Sequence, residues 1–240
     1  MFLISRSEKI NRIYQTLAST KELFVSSIIY GEAYTGKKSL VKKIYNNSLW
    51  VDGNDLNNVK EALKNSNYVV ITNFDKILNY DELNFENINV VAISNSKNMD
   101  SRLENLFAFI YNMPSLKDRV EDIELYKDIY KKEAINLYDI QSDVEILNSD
   151  IDISKNLKSL KSSVYKSVLL KSLREDDISY LLYNYYLKNF SGNNVYKKQL
   201  EVFEKALISA GLDIHKSQLK LSDVLGINRN TLRKKINEYY

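Results

Sequence analysis

In 240 residues there is no cysteine, one proline, one histidine and only six glycines. Lack of cysteine excludes a disulfide framework and any thiolate metal site. With His215 as its only imidazole, the chain cannot build a multi-histidine centre. The N-terminal run MFLISRSEKINR holds only a few apolar residues before charges return. That is too short for a signal peptide or a membrane span. The expectation is a soluble, cytoplasmic chain with no membrane partner. Because glycine is scarce, its placement is informative: Gly31 and Gly36 lie in one loop.

What is present is a globular composition, 44% hydrophobic and 27% charged. The net charge of +3 is unevenly spread. Residues 193–240 carry nine Lys or Arg against five Asp or Glu, an excess of +4, and the remainder comes to −1. A basic end on a neutral body is the footprint of a nucleic-acid module.

Hydrophobic periodicity organises the chain. Helical spacing covers Ser7 to Ser19, Ser39 to Tyr45 and Asp55 to Lys64. Phe24 to Tyr30, Leu49 to Asp52, Tyr68 to Asn73, Asn89 to Ser94 and Phe107 to Met113 read as strands. The continuous apolar runs YVVIT and NVVAIS suit strands buried on both faces of a parallel sheet. After Pro114 the pattern is helical: Arg119 to Tyr138, Ser154 to Leu170, Asp176 to Phe190 and Val195 to Ala210. Ser172 and Glu175 have capping-box spacing. Ser191 to Asn194 is the linker expected before the basic end. The tyrosines and phenylalanines fall mostly at core positions and read as packing.

Two motifs carry chemistry. The first is GEAYTGK, Gly31 to Lys37, which fits G-x-x-x-x-G-K between a strand and a helix. Backbone N–H groups of such a loop hold phosphates, and its lysine reaches the outer ones. The residue after that lysine, expected to be a metal-binding Ser or Thr, is Lys38; Ser39 comes one place late. The strand VVIT leads through Asn73 and Phe74 to Asp75, placed to hold Mg²⁺ through water, and then to Lys76. The second motif is DVLGINRNTLRKKINEYY, Asp223 to Tyr240. Gly226 permits the turn after a helix, and Asn228 can cap the next one. Leu232 and Ile236 share one face there, while Arg229, Asn230, Arg233 and Lys234 occupy the others. A dry back and a hydrogen-bonding front are what a helix in the DNA major groove needs.

GEAYTGKKSLVKKIY resembles the phosphate loop of the bacterial enhancer-binding proteins, the AAA+ activators of sigma-54 RNA polymerase. VVAISNSK resembles their sensor I strand, with Asn95 at its polar position. PSLKDRVEDI (Pro114 to Ile123) and KNLKSLKSSVYKSVLL (Lys155 to Leu170) resemble their later helices. SQLKLSDVLGINRNTLRKKINEY (Ser217 to Tyr239) resembles their Fis-type helix-turn-helix. The resemblance implies an α/β P-loop, AAA+-like parallel-sheet domain over 1–140. An all-α lid over 141–190 and an all-α Fis-type DNA-binding domain over 195–240 would follow. It implies ATP or ADP with Mg²⁺ as the ligand, none being required for reading DNA. Gly31, Thr35, Gly36, Lys37, Lys38, Asp75, Asn95 and Lys158 would surround the nucleotide. The DNA contacts implied are Gln218, Lys220, Asn228, Arg229, Asn230, Thr231, Arg233, Lys234 and Lys235 on double-stranded DNA. A homodimer would form through Val195 to Ala210, and RNA polymerase or a sigma factor is the further partner implied.

Departures from the family concentrate in the ATPase machinery. Lys76 stands where AAA+ ATPases carry the Glu that activates water. The sensor II Arg falls on Lys158, which lacks the planar fork. Of the arginine fingers only Arg102 has a counterpart, and Tyr34 replaces a small Gly and crowds the cradle. Thirty-eight positions separate Lys37 from Asp75, and none reads as the GAFTGA loop that touches sigma-54. The expectation is a sequence-specific DNA-binding transcriptional regulator with a degenerate AAA+ domain. Two alternatives stay open: a working ATP-dependent sigma-54 activator, and a nucleotide-sensing or scaffold module.

Overall fold

The structure is a computed structural model that describes residues 4–98 and 103–239. It divides into two compact units, Met1–Leu173 and Arg174–Tyr240.

The first unit is built on five strands, β1 (Ser26–Tyr30), β2 (Leu49–Asp52), β3 (Tyr68–Thr72), β4 (Asn89–Ile93) and β5 (Phe109–Asn112). They form one sheet in the order β2-β3-β4-β1-β5. Every pairing is parallel, with Ile28 opposite Ala92 and Ile110, and Val70 opposite Val91. Around the sheet run α1 (Glu8–Thr20), α2 (Lys37–Ile44), α3 (Leu56–Asn65), α4 (Val120–Leu137) and α5 (Asn156–Ser172).

Alternation along each strand sends successive side chains to opposite faces. Ile29, Val70, Val91 and Ile93 join the core made with α1, α2, α4 and α5. Ile28, Val69, Ile71, Val90 and Ala92 join the opposite core, with Val59, Ala62 and Leu63 of α3. Both faces are therefore covered, which is why these strands read as unbroken apolar runs. Each Val, Leu or Ile among them contributes about 1.5–3 kcal/mol of burial free energy.

The second unit contains α6 (Glu175–Asn189), α7 (Val195–His215), α8 (Gln218–Leu225) and α9 (Arg229–Tyr239). Its small core is Ile208, Leu221 and Leu232, flanked by Leu212, Leu225, Ile227 and Ile236. Gly226, at φ 64°, closes α8 in the left-handed region that favours glycine. Asn228 Oδ1 then accepts from the Asn230 N–H at 2.8 Å and caps α9.

Three expectations are corrected. The capping box at Ser172 and Glu175 does not form, because Ser172 ends α5 and its hydroxyl donates to the Leu169 carbonyl. Instead the Arg174 N–H donates to Asp177 Oδ2 at 3.0 Å. The helix expected to end at Ala210 runs on to His215 through Gly211. That glycine is a contact point: a Cβ there would lie 2.3 Å from Leu221 Cδ1. Strand β5 is shorter than Phe107 to Met113, since Phe107 turns into the core against Phe74, centroids 5.2 Å apart. Among the described residues no helix is long and apolar enough to cross a membrane.

Candidate functional site

Because all five strands are parallel, the loops after β1, β3 and β4 gather at one sheet edge, where ligands bind in open α/β sheets. The β1–α2 loop is tight. A Cβ on Gly31, at φ 140°, would lie 2.5 Å from the Met113 carbonyl oxygen, so only glycine fits. Tyr34 takes φ 62°, a left-handed conformation that favours glycine over a bulky residue. Its backbone is held there by the Leu157 N–H, which donates to the Tyr34 carbonyl at 3.2 Å.

Lys37 opens α2 and is buried. Its ammonium donates to the carbonyls of Gly31 at 2.8 Å and Glu32 at 2.5 Å, with the Thr35 hydroxyl at 3.4 Å. Burial pushes its pKa down to about 8, opposed by the charges of Asp75 and Glu32. Thr35 is itself buried and donates to the Glu32 carbonyl at 3.0 Å. Asn156 Nδ2 and then Lys97 hold Glu32 below the usual carboxylate range.

A cavity of about 560 Å³ opens beside this loop. Gly36, Lys37, Lys38, Asn95 and Lys158 line it, so most of the expected nucleotide residues meet there. Tyr126, Tyr130 and Leu157 add an aromatic and apolar lining. Tyr34 stands 52% exposed rather than filling the cradle, with Lys158 Nζ 4.7 Å from its ring centroid. Asp75 reaches this site through Asn95, whose backbone N–H donates to Asp75 Oδ1 at 2.8 Å. Its Oδ2 lies 3.5 Å from Lys76 Nζ. The volume and lining suit a nucleotide. The oxygen donors do not suit Mg²⁺, because Lys38 replaces the hydroxyl and Asp75 already has N–H and ammonium partners. Arg102 lies outside the described residues.

Sequence reasoning missed the braces under this loop. Arg119 and Asp122 are fully buried, 3.1 Å apart. Arg119 Nη2 donates to the Thr35 carbonyl at 2.5 Å. Asp122 accepts the Arg6 N–H at 2.7 Å and the Ser5 hydroxyl at 2.6 Å. Asn156 Nδ2 donates to the Ala33 carbonyl at 3.0 Å, and its Oδ1 accepts the Leu116 N–H at 2.7 Å. All three residues lie inside motifs singled out above, Arg119 and Asp122 in PSLKDRVEDI and Asn156 in KNLKSL. That placement was the only signal available.

In the second unit, α9 buries Leu232 and exposes Arg229, Asn230, Thr231, Arg233 and Lys234. Gln218 and Lys220 are exposed on α8. Among the described residues, Lys220, Arg229, Arg233 and Lys234 form no ion pair. Asn228 and Lys235 have structural partners. Asn228 caps α9, and Lys235 Nζ donates to Glu204 Oε2 of α7 at 2.6 Å. The Tyr239 hydroxyl donates to the same oxygen at 2.6 Å.

Fold and sites together define a five-stranded parallel-sheet domain carrying a phosphate-loop-like turn, with a Fis-type helix-turn-helix in the second unit. Comparison with known proteins agrees: residues 199–239 match the family model for the bacterial regulatory protein, Fis family. The whole chain is similar in structure to NtrX from Brucella abortus in complex with ATP. The TM-score is 0.55 and the identity 12%, covering 99% of this chain and 69% of that one. NtrX in complex with ADP gives a TM-score of 0.54 at 13% identity over 99% and 69% of the two chains. At such identity the likeness establishes the fold alone. No curated protein matches the chain in sequence.

Proposed function

We propose that the chain is a cytoplasmic, sequence-specific DNA-binding regulator of transcription, with a body that holds nucleotide without hydrolysing it. The observation that carries this reading is α9. Its apolar seam is buried at Leu232, and its open faces present Arg229, Asn230, Arg233 and Lys234 without ion-pair partners. Arg229, Asn230 and Arg233 are assigned to base edges, and Lys220 and Lys234 to phosphates. Lys235 would contribute once released from Glu204, and Gln218 and Thr231 flank the same surface. The DNA-reading segment is taken as 195–240, the AAA+-like body as 1–140, and 141–190 as its helical lid.

A homodimer is supported by α7. Leu200, Phe203, Leu207, Ala210 and Ile214 follow heptad spacing along it. Phe203, Leu207 and Ile214 are 52%, 44% and 73% exposed, whereas Ile208 packs inward. A second copy on this seam would place two α9 helices on a two-fold DNA site. NtrX has been solved with ATP and with ADP, and the cavity beside Lys37 is of a size to hold either. Hydrolysis by the usual route lacks its base, since Lys76 cannot activate water as a Glu does. The absent GAFTGA motif leaves no usual contact with sigma-54.

Fluorescence anisotropy with labelled duplexes tests the reading. Arg233→Ala should weaken the preferred site by about 1–3 kcal/mol and relax its sequence preference. Wild-type affinity should fall steeply with salt. Salt-insensitive or absent binding removes the proposal. Phosphate release above background, abolished by Lys37→Ala, would remove its second half.

A further inference from the structure

We propose that the phosphate loop takes its nucleotide as the metal-free polyanion, and that Mg²⁺ weakens binding. This rests on the reading of the cavity beside Lys37 as a nucleotide site. Mg²⁺ demands near-octahedral oxygen ligands and is held in such sites by one or two carboxylates together with phosphate oxygens. Those carboxylates already have other partners here. Asp75 Oδ1 accepts the Asn95 N–H at 2.8 Å, and its Oδ2 faces Lys76 Nζ at 3.5 Å. Asp52, at the end of β2, accepts Asn73 Nδ2 on both oxygens, at 3.1 and 3.0 Å.

Cations take the place of the missing donors. Lys37, Lys38, Lys158 and Lys161 all line the cavity. Lys161 is neutralised by Glu133 at 2.8 Å. Among the described residues, Lys37, Lys38 and Lys158 have no carboxylate within ion-pair distance. Lys38 occupies the position from which a hydroxyl would ligate the metal, and an ammonium there repels a dication. Lys158 is positioned at the rim by the Tyr34 ring and by its hydroxyl, 3.3 Å from Nζ. Three ammonium groups with no carboxylate in contact interact more strongly with free polyphosphate than with its Mg²⁺ complex, in which the metal cancels part of the charge. Lysine serves such phosphates as a point charge, without fixed geometry.

The test is isothermal titration of the full chain with ATP, and separately with ADP, in EDTA and in excess MgCl₂. Binding in EDTA should be roughly three- to tenfold tighter, the worth of one or two partly exposed ion pairs. Lys38→Ser should shift that ratio toward Mg²⁺, with an unchanged melting curve as the control for folding. Equal or tighter wild-type binding in Mg²⁺ overturns the inference while leaving the nucleotide site intact. No binding in either buffer overturns the nucleotide site, and this inference with it.

Discussion

Raising the pH from about 7 to about 9 should weaken nucleotide binding about tenfold, through Lys37. Its ammonium is buried against the carbonyls of Gly31 and Glu32, and burial lowers its pKa to about 8. Bound polyphosphate would bring formal negative charge to the same ammonium and raise that pKa again. The complex then keeps a proton that the free protein loses above about pH 8. Binding is therefore strongest below that value and falls as pH rises through it. One unit above the free pKa, only about a tenth of the free protein is still protonated, a loss of about 1.4 kcal/mol. Titration with ADP in EDTA across this range measures it, with Lys37→Arg as the control, since guanidinium stays charged throughout. A flat wild-type profile, or an equal slope in Lys37→Arg, would refute the reasoning. Folding responds in the opposite sense. Between about 8 and 10.5 the unfolded chain holds the proton that native Lys37 has released, so the stability of the first unit rises with pH in that window.

Other perturbations separate the remaining parts of the account. Leu232→Ala removes a fully buried side chain from a core of three buried residues. It should cost about 2–5 kcal/mol and lower the melting transition of the second unit, read by circular dichroism. Leu207→Glu puts charge on the exposed seam of α7, and sedimentation should show the dimer shifting to monomer. A dimer unaffected by that change would move the interface elsewhere.

Much of this architecture was legible in the sequence because its signals were local. Strands β3 and β4 announced themselves as apolar runs, since both faces of the sheet are covered. The helix-turn-helix was legible because Gly226 and Asn228 each do one local task, a left-handed cap and an N-cap. What escaped was tertiary. The helix expected to end at Ala210 continues through Gly211, which is where α7 admits Leu221 of α8. Arg119 reaches Thr35 across 84 positions, and Asn156 reaches Ala33 across 123, so no periodicity could reveal them as braces of the phosphate loop. Lys235 was placed on DNA with Lys234 by the resemblance, but Glu204 of α7, 31 positions away, accepts from its ammonium.

The central claim is that the terminal helices read one DNA sequence. Repeated selection of the full chain against a pool of randomised duplexes, followed by sequencing of the bound fraction, tests it most directly. The account predicts enrichment of a single motif with two-fold symmetry, lost in Arg233→Ala. A bound fraction indistinguishable from the starting pool would contradict it.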